Sequence, residues 1–112
     1  MTNAAGDSSH AEGNTTTASG SCSHVEGRGT IAQRQSQHVF GEYNIADTEG
    51  LGEGTRGTYI EIVGNGTSNT TRTNARTLDW QGNEQLAGSL TIGGHVTLVF
   101  NAETNALDFN FI

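Results

Sequence analysis

The chain has 112 residues, only 32% of them hydrophobic, with 12 acidic residues against five arginines and no lysine, a formal charge of −7. That charge repels a phosphate backbone and excludes nucleic acid as a main partner. Sixteen Gly, 16 Thr and 10 Asn without a single Pro exclude both a helical bundle and ordinary disorder, and point to an all-β fold.

Met1 to Asp7 has neither a basic nor an apolar region, and no stretch approaches the roughly 18 apolar residues of a membrane span. No leader, anchor or membrane partner is therefore expected. The first feature along the chain is a repeat. SHAEG at Ser9 to Gly13 returns as SHVEG at Ser23 to Gly27 and as QHVFG at Gln37 to Gly41, displaced by 14 residues each time. His10, His24 and His38 fall in register, as do Gly13, Gly27 and Gly41, and the series Ala4, Ala18, Ala32 and Ala46. Two half-repeats, each a short strand and a turn where Gly or Asn takes positive φ, suit a parallel β-solenoid whose coils stack about 4.8 Å apart. Alternation then lines the interior with Ala11, Val25, Val39 and the Ala series, and turns His10, Glu12, His24, Glu26, His38 and Phe40 to the other face.

Such an interior is too small for one copy of the chain. Ordering each residue costs about 1–2 kcal/mol of backbone entropy, whereas two small side chains per coil return roughly 2 kcal/mol. Neighbouring copies are expected to supply the difference, and Phe40, standing where earlier coils have Glu12 and Glu26, marks the His-bearing face as the place of contact. The histidine row has three readings: pairing with Glu12 and Glu26, a solvated row, or a metal or anion site. Pairing is the expectation, and no metal is assigned. Cys22 aligns with Ser8 and Ser36 and reads as a tolerated small residue, with no second cysteine for an intrachain disulfide.

Beyond the repeats, Tyr59 to Val63 reads as a strand ending in Gly64-Asn65-Gly66. The polar loop from Thr67 to Asn74 supplies candidate receptor contacts in Asn69, Arg72 and Asn74, with Arg76 just after it. Thr77 to Trp80 and Glu84 to Ala87 read as a hairpin around Gln81-Gly82-Asn83, with Leu78, Trp80 and Leu86 as its apolar positions. His95 to Phe100 and Ala106 to Ile112 alternate around a turn at Asn101 to Asn105, which puts Leu107, Phe109 and Phe111 on one face of a cap where copies meet. No catalytic residue is expected. A Ser and Lys dyad is impossible without lysine, every histidine but His95 belongs to the repeat, and Asp79 and Glu84 merely flank a turn. No cofactor is implied.

The pattern SHAEGxxTxASGxxSHVEGxxTIA resembles the left-handed β-roll head repeat of YadA-type trimeric autotransporter adhesins. Where that repeat carries apolar residues, this chain has His10 and Glu12, His24 and Glu26, His38 and Phe40, which implies a polar interface in the first two coils. QHVFGEYNIADTEG, followed by YIEIVGNGTSNTTRTNARTLDWQGNEQLAGSLTIGG, is similar to the distal region of phage and prophage tail-fibre or appendage proteins, where it sits before a chaperone domain of the G2 peptidase type. Together the resemblances imply an intertwined homotrimer: head repeats over 1–50, a β connector over 51–93 and a trimerisation cap over 94–112. The implied trimer interface comprises His10, Glu12, His24, Glu26, His38, Phe40, Trp80, Phe109 and Phe111. The implied role is a receptor-facing fibre segment on a virion tail or extracellular surface, with other tail proteins and a cell-surface glycan or protein as partners. A cellular adhesin head and a pure connector module are the alternatives.

Overall fold

Repetition in the sequence becomes repetition in the backbone. The computed structural model describes residues 1–50, 52 and 54–111, so Leu51, which opens the expected connector, and Ile112, which ends the expected last strand, lie outside the described residues. From Ser8 to Tyr43 a residue with left-handed φ recurs every seven positions: Ser8 57°, Thr15 59°, Cys22 57°, Gly29 63°, Ser36 60° and Tyr43 40°. Between these turns lie the strands β1 (Asn3–Ala4), β2 (His10–Ala11), β3 (Thr17–Ala18), β4 (His24–Val25), β5 (Ile31–Ala32) and the longer β6 (His38–Glu42). β1, β3 and β5 pair in parallel as one sheet, while β2, β4 and β6 pair in parallel within another. His10 lies opposite His24 and His24 opposite His38, so each ladder runs at the repeat's own offset.

The two ladders share a small core. Ala18, Val25, Ala32 and Val39 are fully buried with Ile62, and Ala11 packs at the edge. Ala4 is exposed at the open end, and Ala46, expected to extend the alanine series, lies in no strand. Asn44 explains the interruption. The amide nitrogen of Ile31 donates to Asn44 Oδ1 at 2.8 Å, and Asn44 Nδ2 donates to the Ile31 carbonyl at 3.0 Å. A carboxamide offers the same donor and acceptor as a peptide group, so this buried side chain satisfies the edge of β5 where another strand would pair.

The other sheet continues. β7 (Tyr59–Asn65) pairs in parallel with β6, β8 (Asn74–Asp79) antiparallel with β7, and β9 (Glu84–Leu86) antiparallel with β8, giving the order β2-β4-β6-β7-β8-β9. Asn74 thus begins a strand rather than ending a loop. The excursion between β6 and β7 is fixed by buried polar groups. Gln37 Nε2 donates to Asp47 Oδ2 at 2.7 Å and to the Tyr59 carbonyl at 3.0 Å, while Asp47 accepts from the Tyr59 amide at 3.0 Å and the Glu49 amide at 3.1 Å. Arg34 Nη2 donates to the Thr48 carbonyl at 2.9 Å, and Arg34 Nε to that of Glu49. The β8–β9 turn is closed by Asp79, which accepts from the Gln81 amide at 3.0 Å and from the Asn83 amide at 2.8 Å.

A separate antiparallel sheet ends the chain: β10 (Leu90–Ile92), β11 (Val96–Asn101) and β12 (Ala106–Phe111). Here the expected strand start is corrected. His95 sits in a turn, because Gly93 and Gly94 both take positive φ, 60° and 73°, and the His95 amide donates back to the Ile92 carbonyl at 3.1 Å. That tight turn adds β10, which a sequence reading of only two terminal strands omits. The described residues are all-β, with no helix.

Two outcomes follow from this backbone. Gly27 has φ of 105°, and a Cβ there would run into the Gly41 carbonyl oxygen of the next repeat. Gly27→Ala is expected to lower stability in urea by at least about 2 kcal/mol, whereas Gly88→Ala, with nothing within 4 Å, stays within about 0.5 kcal/mol. The Asp79 carboxyl is held below its ordinary range, chiefly by the Asn83 amide and then by the Asn83 side chain. A lowered folded value means that its contribution is present above the unfolded carboxylate pKa, about 3.9, and is lost as pH falls through the folded one. Hydrogen exchange at the Asn83 amide should therefore lose protection at acid pH in the native chain, and Asp79→Asn should flatten that dependence.

Candidate functional site

Paired strands present neighbouring residues on one face, so the outward side of the six-stranded sheet can be read row by row. His10, His24 and His38 form a column with ring centroids 4.6 Å and 4.8 Å apart. The first pair is nearly parallel at 23°, the second turned to 69°, and the Phe40 ring stands 5.2 Å from His38. Glu12 Oε1 lies 3.8 Å from His10 Nε2 and 4.0 Å from His24 Nε2, and Glu26 Oε1 lies 3.2 Å from His38 Nε2. The expected pairing of histidine with glutamate is thus present in the geometry, closest at the third repeat. The same column continues through Glu61, opposite His38, and Leu78, opposite Glu61. Two triads, His10 with Glu12 and His24, and His24 with Glu26 and His38, bring one ligand atom from each member within 4.8 Å of the others.

The loop over 66–73 is built differently from the exposed contact surface expected of it. Arg72 turns inward: Nη1 donates to the Gly29 carbonyl at 2.7 Å and the Asn44 carbonyl at 3.1 Å, and Nη2 donates to Asn69 Oδ1 at 2.7 Å. Its guanidinium also lies 5.6 Å from the Tyr43 ring centroid. Asn74 Oδ1 accepts from the Ile45 amide at 2.8 Å, so this residue too holds the end of the first ladder. Arg76 forms an ion pair with Glu61 and places Nε 3.5 Å from Glu84. All four candidate receptor contacts are therefore engaged within the chain, Asn69 through Arg72. Beside them a groove of about 520 Å³, lined by Ile45, Tyr59, Asn65, Asn74, Thr77 and Gln85 among others, opens where the first ladder has ended. Sequence reading gave no sign of it, because it arises from the unequal lengths of two sheets.

The C-terminal sheet has one mainly polar and one apolar face. Register pairs Leu98 with Leu90 and Phe109, Val96 with Ile92 and Phe111, and Phe100 with Leu107. The expected face of Leu107, Phe109 and Phe111 is thereby widened to eight apolar side chains. Phe100 is 62% exposed, Phe109 58% and Phe111 81%. The reverse face carries Thr91, Thr97, Asn101, Asp108 and Asn110, with Val99 and Ala106 as its apolar members. Trp80, the remaining aromatic of the expected interface, is half-buried, with the Arg56 guanidinium 4.1 Å from its ring centroid.

Because Arg72 bridges two carbonyls from separate repeats, Arg72→Ala should lower stability by about 1–3 kcal/mol through unsatisfied acceptors. Arg72→Lys should recover little of it, since an ammonium lacks the planar fork. Urea midpoints of the three proteins check both.

No protein-family model, curated protein or solved structure matches this chain.

Proposed function

We propose that this chain is a structural, receptor-facing segment of a phage or prophage tail fibre or appendage, a homotrimer in which residues 1–50 wind as a left-handed parallel β-roll. The observation that carries the reading is the apolar face of the C-terminal sheet. Burying each large apolar side chain there gains about 1.5–3 kcal/mol, and a contiguous patch of this kind on a monomer marks a contact surface. Identical sheets arranged around one rotation axis would turn their apolar faces inward and their Thr, Asn and Asp faces to solvent. Three is the number that the resemblance to adhesin heads and tail fibres supplies. The thin core of the repeats supports the same reading, since Ala18, Val25, Ala32 and Val39 leave little to hold a lone chain. The place of action on this reading is the virion tail or another extracellular surface, next to other tail proteins.

One observation favours the narrower version, a trimerisation and connecting element: Arg72 and Arg76 are both used inside the chain. The receptor-facing version rests on the groove beside Tyr59, whose ring, amides and hydroxyl suit a glycan.

Light scattering should return three times the 11.7 kDa chain mass. The double variant Phe109→Ser with Phe111→Ser should release single chains, and a native preparation that already runs as a monomer would overturn the assembly. Adsorption of the labelled trimer to bacterial cells, weakened by Gln85→Ala at the groove rim, supports receptor contact. An intact trimer that adsorbs to no cell surface or glycan leaves the connecting role.

A further inference from the structure

Column geometry on the His-bearing face treats its two triads unequally. A metal ion bound by an imidazole lies in the plane of the ring, along the nitrogen lone pair. Two rings can therefore share an ion only where their planes cross nearby. His10 and His24, inclined by only 23° with centroids 4.6 Å apart, have planes that meet far from both. His24 and His38, inclined by 69° at 4.8 Å, have planes that cross beside the rings. Glu26 Oε1 lies 3.2 Å from His38 Nε2, the two sharing a hydrogen bond in the ion-free chain. Bonds of about 2.0–2.2 Å in a tetrahedral zinc centre put ligand atoms roughly 3.3 Å apart, so this pair already has the required separation. His24 completes the set from within 4.8 Å, its half-exposed ring closing the remaining gap by leaving the His10 stack and the Glu12 contact at 4.0 Å.

We propose that His24, Glu26 and His38 form a binding site for a divalent transition-metal ion of the zinc type. Two imidazoles and one carboxylate without a thiolate suit Zn²⁺, Ni²⁺ or Cu²⁺ over the hard cations, which prefer all-oxygen sets. Three protein ligands leave a coordination position for water. The Phe40 ring, 5.2 Å from His38, gives the site an apolar wall on one side. His10 and Glu12 compose the weaker triad: their edges are 3.8 Å and 4.0 Å, and both side chains are 58% exposed against 43–44% for Glu26 and His38. Since both triads need His24, one ion per chain is the expected stoichiometry. The site is complete within a single chain and does not rest on the proposed assembly.

The test uses the full chain, stripped of metal by dialysis and titrated calorimetrically with Zn²⁺ alone, with Co²⁺ as a spectroscopic stand-in. Saturation at one ion per chain and the visible absorption of tetrahedral cobalt are expected. His24→Ala should abolish saturable binding, His38→Ala should leave at most the weak binding of the His10, Glu12 and His24 triad, and Glu26→Gln should weaken the native affinity at least about tenfold. His10→Ala and His95→Ala should bind as the native chain does. His38→Gln keeps a side chain of similar size, so loss of native affinity with an unchanged circular dichroism spectrum separates ligand removal from unfolding. Absence of saturable uptake by the native chain, native affinity in His38→Ala, or an equal loss in His10→Ala would overturn the assignment. Light scattering of the same samples reports on assembly independently.

Discussion

Backbone pairing in parallel register bears most of the weight in the first half of this protein, because the side chains can bear so little. A core of two alanines, two valines and one isoleucine fills only the narrow space between two ladders, and the strands that enclose it are mostly two residues long. Each additional repeat adds a set of ladder hydrogen bonds, such as His24 N to the Gln37 carbonyl at 2.8 Å and Glu26 N to the Val39 carbonyl at 3.0 Å. That arrangement tolerates no bulk where backbones approach, which is why glycine recurs at Gly13, Gly27 and Gly41 with φ near 100°. It also leaves the two downstream ladder ends to be satisfied, and the chain meets them by different means. One accepts a further strand, β7, and the other is closed by the Asn44 carboxamide.

The unequal ending shapes everything downstream. Because one sheet stops at β5 while the other runs on to β9, the inward face around Thr77 and Gln85 has no opposing ladder, and the groove beside Tyr59 is the result. Arg72 then reaches back to the Gly29 and Asn44 carbonyls, tying the hairpin loop to the last two repeats. At the far end of the chain Val96, Leu98 and Val99 are half-buried, while most of the other apolar side chains are exposed. Leu90, Ile92, Phe100, Leu107, Phe109 and Phe111 remain outside, and on the proposed reading they are the surface where copies meet.

What was legible in the sequence was whatever repeats or alternates. The register of His10, His24 and His38 could be read because equal spacing along the chain becomes adjacency in a parallel ladder. The common face of Leu107, Phe109 and Phe111 could be read because a strand has a period of two. The β8–β9 hairpin announced itself through Gln81-Gly82-Asn83. Features that depend on a partner remote in the chain left no such trace. Asn44 looks like any turn residue until Ile31 is placed opposite it, and Arg72 looks like a solvated loop cation until Gly29 and Asn44 come within reach. Gly93-Gly94 is a turn signal in plain view, yet β10 is only three residues long and carries no periodicity of its own. The inclination between the His24 and His38 rings is likewise invisible in a string of letters, although their shared face is not.

Asn44 has a bearing on how such a molecule can change size. A side chain that imitates a missing strand closes the stack from one side only and is indifferent to how many units lie upstream. Duplication or deletion of whole 14-residue units before Gln37 would lengthen or shorten the stack of strands by about 4.8 Å per unit and leave the Asn44 closure, the hairpins and the C-terminal sheet as they are. On the proposed fibre reading, reach and tip chemistry are thereby separable variables.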